Sequence, residues 1–303
     1  MKDVLDFMER STSELMEKIS QDAPRPQGLF GALMVCLAAC TCFGSTVNWP
    51  QFRGPGASGV SEDAAPVTWN VESGENIKWQ APIPGLGHAC PIIWQDRIYI
   101  ATAVKPGSKP DLKIGLYGDI DSYTEKETHQ WRLLCLAKSS GKVVWNNLVL
   151  ETVPRTQRHT KATHCNSTPV TDGKRLVAIL GSEGLFCFDL DGRQLWRKDL
   201  GRMDPGYYVV TNTSWGFGSS PVLYDGKVVI QCDVLSEQFL AVFDAKDGRE
   251  LWRTARSEVP TWWNAPDLQA RSHRLDSPSA FRHCPGNAGF IRQASGDFAR
   301  PAA

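Results

Sequence analysis

The chain has 303 residues, enough for one large domain or two of ordinary size. Its 33 basic and 33 acidic residues cancel, which excludes a net field that would recruit nucleic acid or another strongly charged partner. Eleven Trp, 19 Pro and 26 Gly are spread along the chain. They mark frequent turns between short apolar runs, and this favours an all-β protein of many short strands.

Residues 1–27 form an N-terminal extension that is net acidic. Within it, "VLDFMERSTSELMEKI" places Leu5, Met8, Leu15 and Ile19 loosely on one side of a helix. An acidic start is atypical of a secretory signal, whose first region is normally basic. Two interpretations stand: translation begins further in, or a short helix precedes a membrane anchor.

Residues 28–44 read as a signal or anchor segment, because "GLFGALMVCLAACTCF" is uncharged and largely apolar. Inside it, "LAAC" resembles a bacterial lipobox, which makes Cys40 the candidate for lipidation and membrane tethering. The alternative is a plain secretory signal that happens to contain a cysteine. Both interpretations predict that the chain after about residue 45 is extracytoplasmic, in the periplasm or cell envelope.

The region from 45 to 262 repeats one pattern. Three apolar runs are each followed by a Ser-Gly or Asp-Gly turn and then a Trp, in "SGKVVW", "DGRQLW" and "DGRELW". The glycines are Gly141, Gly192 and Gly248, and the tryptophans are Trp145, Trp196 and Trp252. Such turns are typical of tight hairpins, because these residues tolerate positive φ.

A second hairpin precedes each of these units. "PIIWQDRIYIATA", "PVTDGKRLVAIL" and "PVLYDGKVVIQC" all begin with Pro and an apolar residue, then turn into a β-branched run. One unit therefore reads as four antiparallel strands, which is one blade of a β-propeller. A β-sandwich with similar hairpins is the alternative. The constant spacing from Gly to Trp favours the propeller.

These residues resemble the pyrroloquinoline-quinone-like (PQQ-like) β-propeller repeat proteins, whose repeat carries "DG(K/R)xxW" as at 191–196 and 247–252. The entry "NWPQFRGPGASGVS" at 48–61 is similar to that of a secreted bacterial subgroup. The family includes outer-membrane assembly lipoproteins and quinoprotein dehydrogenases. The resemblance implies that each tryptophan packs between neighbouring blades.

The predicted propeller is incomplete, with about three blades and an N-terminal strand that ends at Trp79. Propellers close with at least four blades, so the chain resembles a truncated member of the family. Residues 263–303 lose all strand or helix periodicity. They are interpreted as a frameshifted segment or as a disordered interaction tail.

No catalytic residue, metal ligand or cofactor is expected from the sequence. Quinoprotein dehydrogenases hold PQQ beside two adjacent cysteines and a calcium ion bound by Glu, Asn and Asp, and none of these can be matched in the repeats. His159, His164 and Cys165 suggest zinc, but no partner pair is evident, and a solvated loop is expected. Four acidic residues within an insertion in the first blade are read as a charged surface loop: Asp119, Asp121, Glu125 and Glu127.

The predicted function is a non-catalytic extracytoplasmic scaffold that binds a protein or peptide through loops or an exposed blade edge. The candidate binding loop at 204–220 contains Tyr207, Tyr208, Trp215 and Phe217, although aromatic packing between blades would explain the same residues. Two alternatives stay open. One is a fragment of a PQQ- and calcium-dependent dehydrogenase, and the other is a polysaccharide-binding module.

Overall fold

The computed structural model describes residues 48–61, 63–109, 112, 122–206, 214–235 and 237–256, together with the backbone of 267–268 and 290–291. Two short 3₁₀ helices lie in this part of the chain, η1 (Pro55–Ala57) and η2 (Gly181–Glu183). The strands in chain order are β1 (Ile92–Trp94), β2 (Arg97–Val104), β3 (Ser122–Tyr123), β4 (His129–Ala137), β5 (Val143–Thr152), β6 (Arg158–His159), β7 (Val170–Thr171), β8 (Leu176–Ile179), β9 (Leu185–Phe188), β10 (Gln194–Lys198), β11 (Val222–Tyr224), β12 (Lys227–Asp233), β13 (Gln238–Asp244), β14 (Glu250–Ala255), β15 (Asp267–Leu268) and β16 (Phe290–Ile291).

Three four-stranded antiparallel sheets dominate the fold. Blade 1 is β1-β2-β4-β5, blade 2 is β7-β8-β9-β10 and blade 3 is β11-β12-β13-β14. Each sheet runs in chain order as an up-and-down meander, which is the construction of a propeller blade. The all-β fold with four-stranded antiparallel blades, expected from the repeats, is confirmed. Two small pairs complete the topology, β3 with β6 and β15 with β16.

The blades stack face to face across two apolar layers. In β8, Leu176 and Ala178 join the layer shared with blade 1, while Val177 and Ile179 join the layer shared with blade 3. Side chains alternate between the two faces of a strand, so a strand that is buried on both faces must be apolar throughout. This explains why "LVAI" and "LFCF" lack the polar alternation of a surface sheet.

Three tryptophans join successive units by the same contact. The indole N–H of Trp79 donates to the carbonyl oxygen of Lys138 at 2.9 Å. In the same way, Trp145 donates to Leu190 at 3.3 Å and Trp196 donates to Ala245 at 3.0 Å. Their rings lie against Gly141, Gly192 and Gly248, where an added Cβ would come within 2.4 to 3.1 Å of an indole carbon. Each glycine has positive φ. The turn of one blade is therefore the docking site for the tryptophan that precedes it.

The outer strand of every blade contains a β-bulge at the residue before its tryptophan. The pairing register shifts at Val144 in β5, Leu195 in β10 and Leu251 in β14. A bulge inserts one unpaired residue and re-aims the side chains that follow it. In β5 and β10, the tryptophan that follows the bulge is the one that docks on the next glycine turn.

The segment around Trp79 forms no regular strand. Isolated backbone bridges join Trp49 to Ile93 and Leu86 to Ala103 at the border of blade 1, and Trp79 is held through its side chain. Pro82 and Pro84 follow closely, and proline has no N–H with which to extend a ladder.

Several sequence-based expectations fall outside the described residues. They concern the extension 1–27, the segment 28–44 with Cys40, and all of 263–303 except the backbone of β15 and β16. No helix in the described part of the chain has the length and apolar character needed to cross a lipid bilayer. The five described cysteines are free thiols: Cys90, Cys135, Cys165, Cys187 and Cys232.

Candidate functional site

A cavity of about 50 Å³ lies where β2 and β4 of blade 1 meet the connection that leads to blade 2. The polar part of its lining comes from three segments of the chain: the end of β2 and its flanking loop, the insertion before β4, and the connection around β6. The charged and polar side chains in this lining include Lys105, Glu125, His129, Arg158, Thr163 and His164.

One backbone pairing and one side-chain contact bring these distant segments together. β3 in the insertion pairs with β6 in the connection, with Ser122 opposite His159. The indole N–H of Trp131 in β4 donates to the carbonyl oxygen of His164 at 3.1 Å in a buried position. A buried carbonyl needs such a partner, so the Trp131 indole fixes His164 beside the first residue of β4.

Glu125 is the central charge of the site. Its side chain is 1% exposed and accepts from the Arg158 guanidinium at 3.0 and 3.3 Å. The Lys105 ammonium lies 3.3 Å from the other carboxylate oxygen and 3.2 Å from exposed Glu127. A buried carboxylate requires compensation of this kind, because its desolvation is otherwise prohibitive.

Two buried imidazoles complete the site. The ring centroids of His129 and His164 are 5.3 Å apart in an edge-to-face arrangement. His129 Nδ1 lies 3.0 Å from the carbonyl oxygen of Glu127, and His129 Nε2 lies 3.8 Å from Glu125 Oε1. Burial, reinforced by His129 and Arg158, lowers the pKa of His164 to about 3, so its ring is neutral at neutral pH.

Two expectations from the sequence are corrected here. Glu125 was expected on a charged surface loop, yet it is buried because Arg158 and Lys105 neutralise it. The segment with His159, His164 and Cys165 was expected to be solvated, yet all three residues are buried. Glu127 is exposed as expected, while Asp119 and Asp121 lie outside the described residues.

In the described part of the predicted binding loop, both aromatic residues take part in packing contacts. Phe217 is 3% exposed and belongs to the apolar layer between blades 2 and 3. Trp215 stacks on the His159 ring, with centroids 3.9 Å apart and planes 11° apart. Tyr207 and Tyr208 lie outside the described residues. Phe217 therefore cannot contact a surface ligand, and the Trp215 face toward His159 is already occupied.

Sequence reasoning missed the convergence of Glu125, His129 and His164. His129 and Glu125 stand four residues apart just before a buried strand, but His164 is far along the chain. Only the pairing of β3 with β6 and the Trp131 contact place it beside them. A local motif cannot carry such information, since these contacts depend on the insertion folding back onto the next connection.

Comparison with known proteins supports the repeat assignment. Residues 126–209 match the sequence model of the family described as outer membrane protein assembly factor BamB. No curated protein gives a significant match to the chain.

Solved structures resemble parts of this chain at low identity. A quinohemoprotein alcohol dehydrogenase from Comamonas testosteroni is 12% identical, with a TM-score of 0.41, over 69% of this chain and 27% of its own. BamB from Moraxella catarrhalis is 15% identical, with a TM-score of 0.31, over 58% and 54%. A europium-containing methanol dehydrogenase is 10% identical, with a TM-score of 0.35, over 55% and 24%. The chain thus spans about a quarter of the two dehydrogenases and half of that BamB, and likeness at this level says nothing about its activity.

Proposed function

Since this chain carries PQQ-like β-propeller repeats, we propose that it is a non-catalytic extracytoplasmic scaffold that binds an extended segment of a protein partner along the outer edge of blade 1. The partner class is supported by the BamB description of the family that matches residues 126–209. The position of the binding edge rests on the character of β5.

β5 is the longest strand described and the outermost strand of blade 1. Within the described residues it pairs with β4 alone. Val143, Val144 and Leu148 are 52%, 50% and 47% exposed. An open, apolar strand edge is a template for the addition of a peptide strand, in which main-chain hydrogen bonds give affinity and alternate side chains give specificity.

The other two outer strands are poorer candidates. β10 has five residues and β14 has six, and both carry Arg side chains in "QLWRK" and "ELWRTA". Charges on an edge discourage strand addition. Bulges at Val144 and Val149 interrupt β5, so the regularly paired run Trp145–Leu148 is where an added strand would align.

The test is site-specific photocrosslinking in cells that naturally produce the chain. A benzoylphenylalanine placed at Leu148 is expected to crosslink one protein reproducibly, whereas the same residue at Leu195 in β10 is the matched control. The variant Leu148→Asp should then lose co-purification of that protein, and Leu195→Asp should retain it. Equal crosslinking at both positions, or loss in both variants, would contradict the proposal.

The dehydrogenase alternative finds no fit in the described residues of the cavity. Ligand pockets typically span about 300–1,000 Å³, whereas this cavity has about 50 Å³. Its donor set is two imidazoles and one carboxylate, and calcium prefers oxygen ligands throughout. Dye reduction by the full chain with added PQQ, Ca²⁺ and a primary alcohol tests this directly; turnover would replace the scaffold proposal.

A further inference from the structure

The hydrogen-bonding of His129 fixes its ring so that Nε2 points toward the buried carboxylate of Glu125. A carbonyl oxygen only accepts, so the contact of 3.0 Å to the Glu127 carbonyl requires that Nδ1 carry the proton. In the neutral ring Nε2 then has no hydrogen, and it faces Glu125 Oε1 at 3.8 Å. A neutral His129 ring therefore offers Nε2 as a ligand atom beside the carboxylate, whose Oε1 also accepts from Arg158.

His164 offers a second imidazole nitrogen close to Glu125 and His129. His164 is 8% exposed, and its Nε2 is buried without a hydrogen-bond partner. Unsatisfied buried polar atoms are rare in folded proteins. One ligand atom from each of Glu125, His129 and His164 lies within 4.8 Å of the others.

We propose that Glu125, His129 and His164 bind a divalent transition-metal ion of the Zn²⁺ class. Two imidazoles with one carboxylate form a known three-ligand zinc set that leaves a fourth position open, and here that position would face the cavity. Zinc bonds of about 2.0–2.2 Å place neighbouring ligand atoms roughly 3.4 Å apart. Binding therefore requires side-chain movements of about 1 Å.

The hydrogen bonds around His129 and Glu125 are of the kind that orient metal ligands in proteins. A metal-bound histidine commonly donates its other N–H to a backbone carbonyl, and a metal-bound carboxylate is itself hydrogen-bonded. Here the Glu127 carbonyl oxygen accepts from His129 Nδ1. Arg158 donates a hydrogen bond to the Glu125 carboxylate. Because Arg158 and Lys105 offset the carboxylate charge, the imidazoles dominate the affinity, which selects Zn²⁺, Co²⁺ or Ni²⁺ over Ca²⁺ and Mg²⁺.

The site joins three segments of the chain, and this defines its role in the fold. Glu125 lies in the insertion of blade 1, His129 begins β4, and His164 lies in the connection to blade 2. A bound ion would fasten the insertion to the junction of blades 1 and 2, independently of the outer edge at β5.

The experiment uses the untagged full chain, stripped of metal with a chelator, and titrates it with Zn²⁺ by calorimetry. One ion per chain is expected, with no binding of Ca²⁺ under the same conditions. Co²⁺ should give the intense visible absorption of a four-coordinate site, and Zn²⁺ should abolish it. Absence of stoichiometric binding by either ion would overturn the proposal.

Variants locate the ion. His164→Asn and His129→Gln are each expected to weaken Zn²⁺ binding by about 10- to 100-fold, whereas His88→Gln, at an exposed histidine outside the cluster, should bind as the wild type does. If all three variants bind equally, the ion sits elsewhere and the proposal fails.

A measurement on the wild type guards against misfolded variants. Diethyl pyrocarbonate modifies imidazoles that have a free lone pair, and mass spectrometry maps the sites. Zn²⁺ should protect His129 and His164 and leave the labelling of His88 unchanged. If His129 and His164 are labelled in the metal-free chain and Zn²⁺ leaves their labelling unchanged, their nitrogens do not bind the ion.

Discussion

Gly248 lies beneath the ring of Trp196 with φ of +72°, and an added Cβ would sit 2.7 Å from the indole. Gly226 has nearly the same backbone, φ +68°, but an added Cβ there would meet nothing within 4 Å. Any non-glycine residue at positive φ costs about 1–2 kcal/mol, and overpacking adds about 1–3 kcal/mol. The two glycines therefore separate backbone strain from the tryptophan contact.

We expect Gly248→Ala to lower the free energy of unfolding by about 2–5 kcal/mol, and Gly226→Ala to lower it by about 1–2 kcal/mol. Urea denaturation followed by tryptophan fluorescence measures both. Gly248→Ala should also alter the native emission, because Trp196 must move. Equal destabilisation by the two variants would mean that the indole does not depend on the glycine surface.

At the scale of the element, the bulge before each tryptophan is a structural requirement of the outer strand. Gln194 pairs with Phe188 and Trp196 with Cys187, so Leu195 is the extra residue, and it is 40% exposed. Removing the extra residue would leave the flanking pairs in register, but it would abolish the bend and the added twist that the bulge gives to β10.

Deletion of Leu195 should therefore straighten β10 and displace Trp196 from Gly248, with loss of several kcal/mol of stability, in the range of a core Trp→Ala change of about 3–5 kcal/mol. Leu195→Ala keeps the residue count and should cost less than about 1 kcal/mol, as exposed substitutions usually do. A red-shifted native emission in the deletion alone is the expected signature. A deletion variant as stable as Leu195→Ala would show that the bulge is dispensable.

Elements with a strict local pattern could be predicted from the sequence, and the site could not. The Asp225-Gly226 turn is an example: both residues have positive φ, 46° and 68°, and Tyr224 pairs with Lys227 to close it, as an Asp-Gly hairpin signal indicates. The bulges were missed because "QLW" contains no glycine or other local signal that marks an extra residue. The buried cluster was missed because charge at Glu125 suggests exposure, whereas its burial depends on Arg158, which is distant in sequence.

At the scale of the whole molecule, buried thiols make the fold sensitive to alkali. Burial raises the pKa of Cys135 to about 11 and those of Cys165, Cys187 and Cys232 to about 12, from an ordinary value of 9.0. Below pH 9 these thiols are neutral in both states and add no pH dependence. Above pH 9 the unfolded chain loses protons that the folded chain retains, so stability falls as pH rises toward the folded-state pKa values.

Each such thiol should lower the free energy of unfolding by about 1.4 kcal/mol per pH unit above pH 9. Cys232→Ala should reduce the slope by that amount. Urea denaturation from pH 7 to 10.5 checks this: the difference between variant and wild type should be constant up to about pH 8.5 and shrink above it. A difference independent of pH across the range would show that Cys232 ionises equally in both states.

The contact of each tryptophan with the following glycine turn makes the blades interchangeable at their borders. Blade 2 receives Trp145 on Gly192 and presents Trp196 to Gly248, so it has the same incoming and outgoing surface. A tandem duplication of one blade would meet its neighbours through contacts that already exist, and no new interface would have to arise. Lengthening of such a chain by gene duplication therefore requires no new interface between blades. Loss of a single border glycine, by contrast, would weaken the contact between two blades.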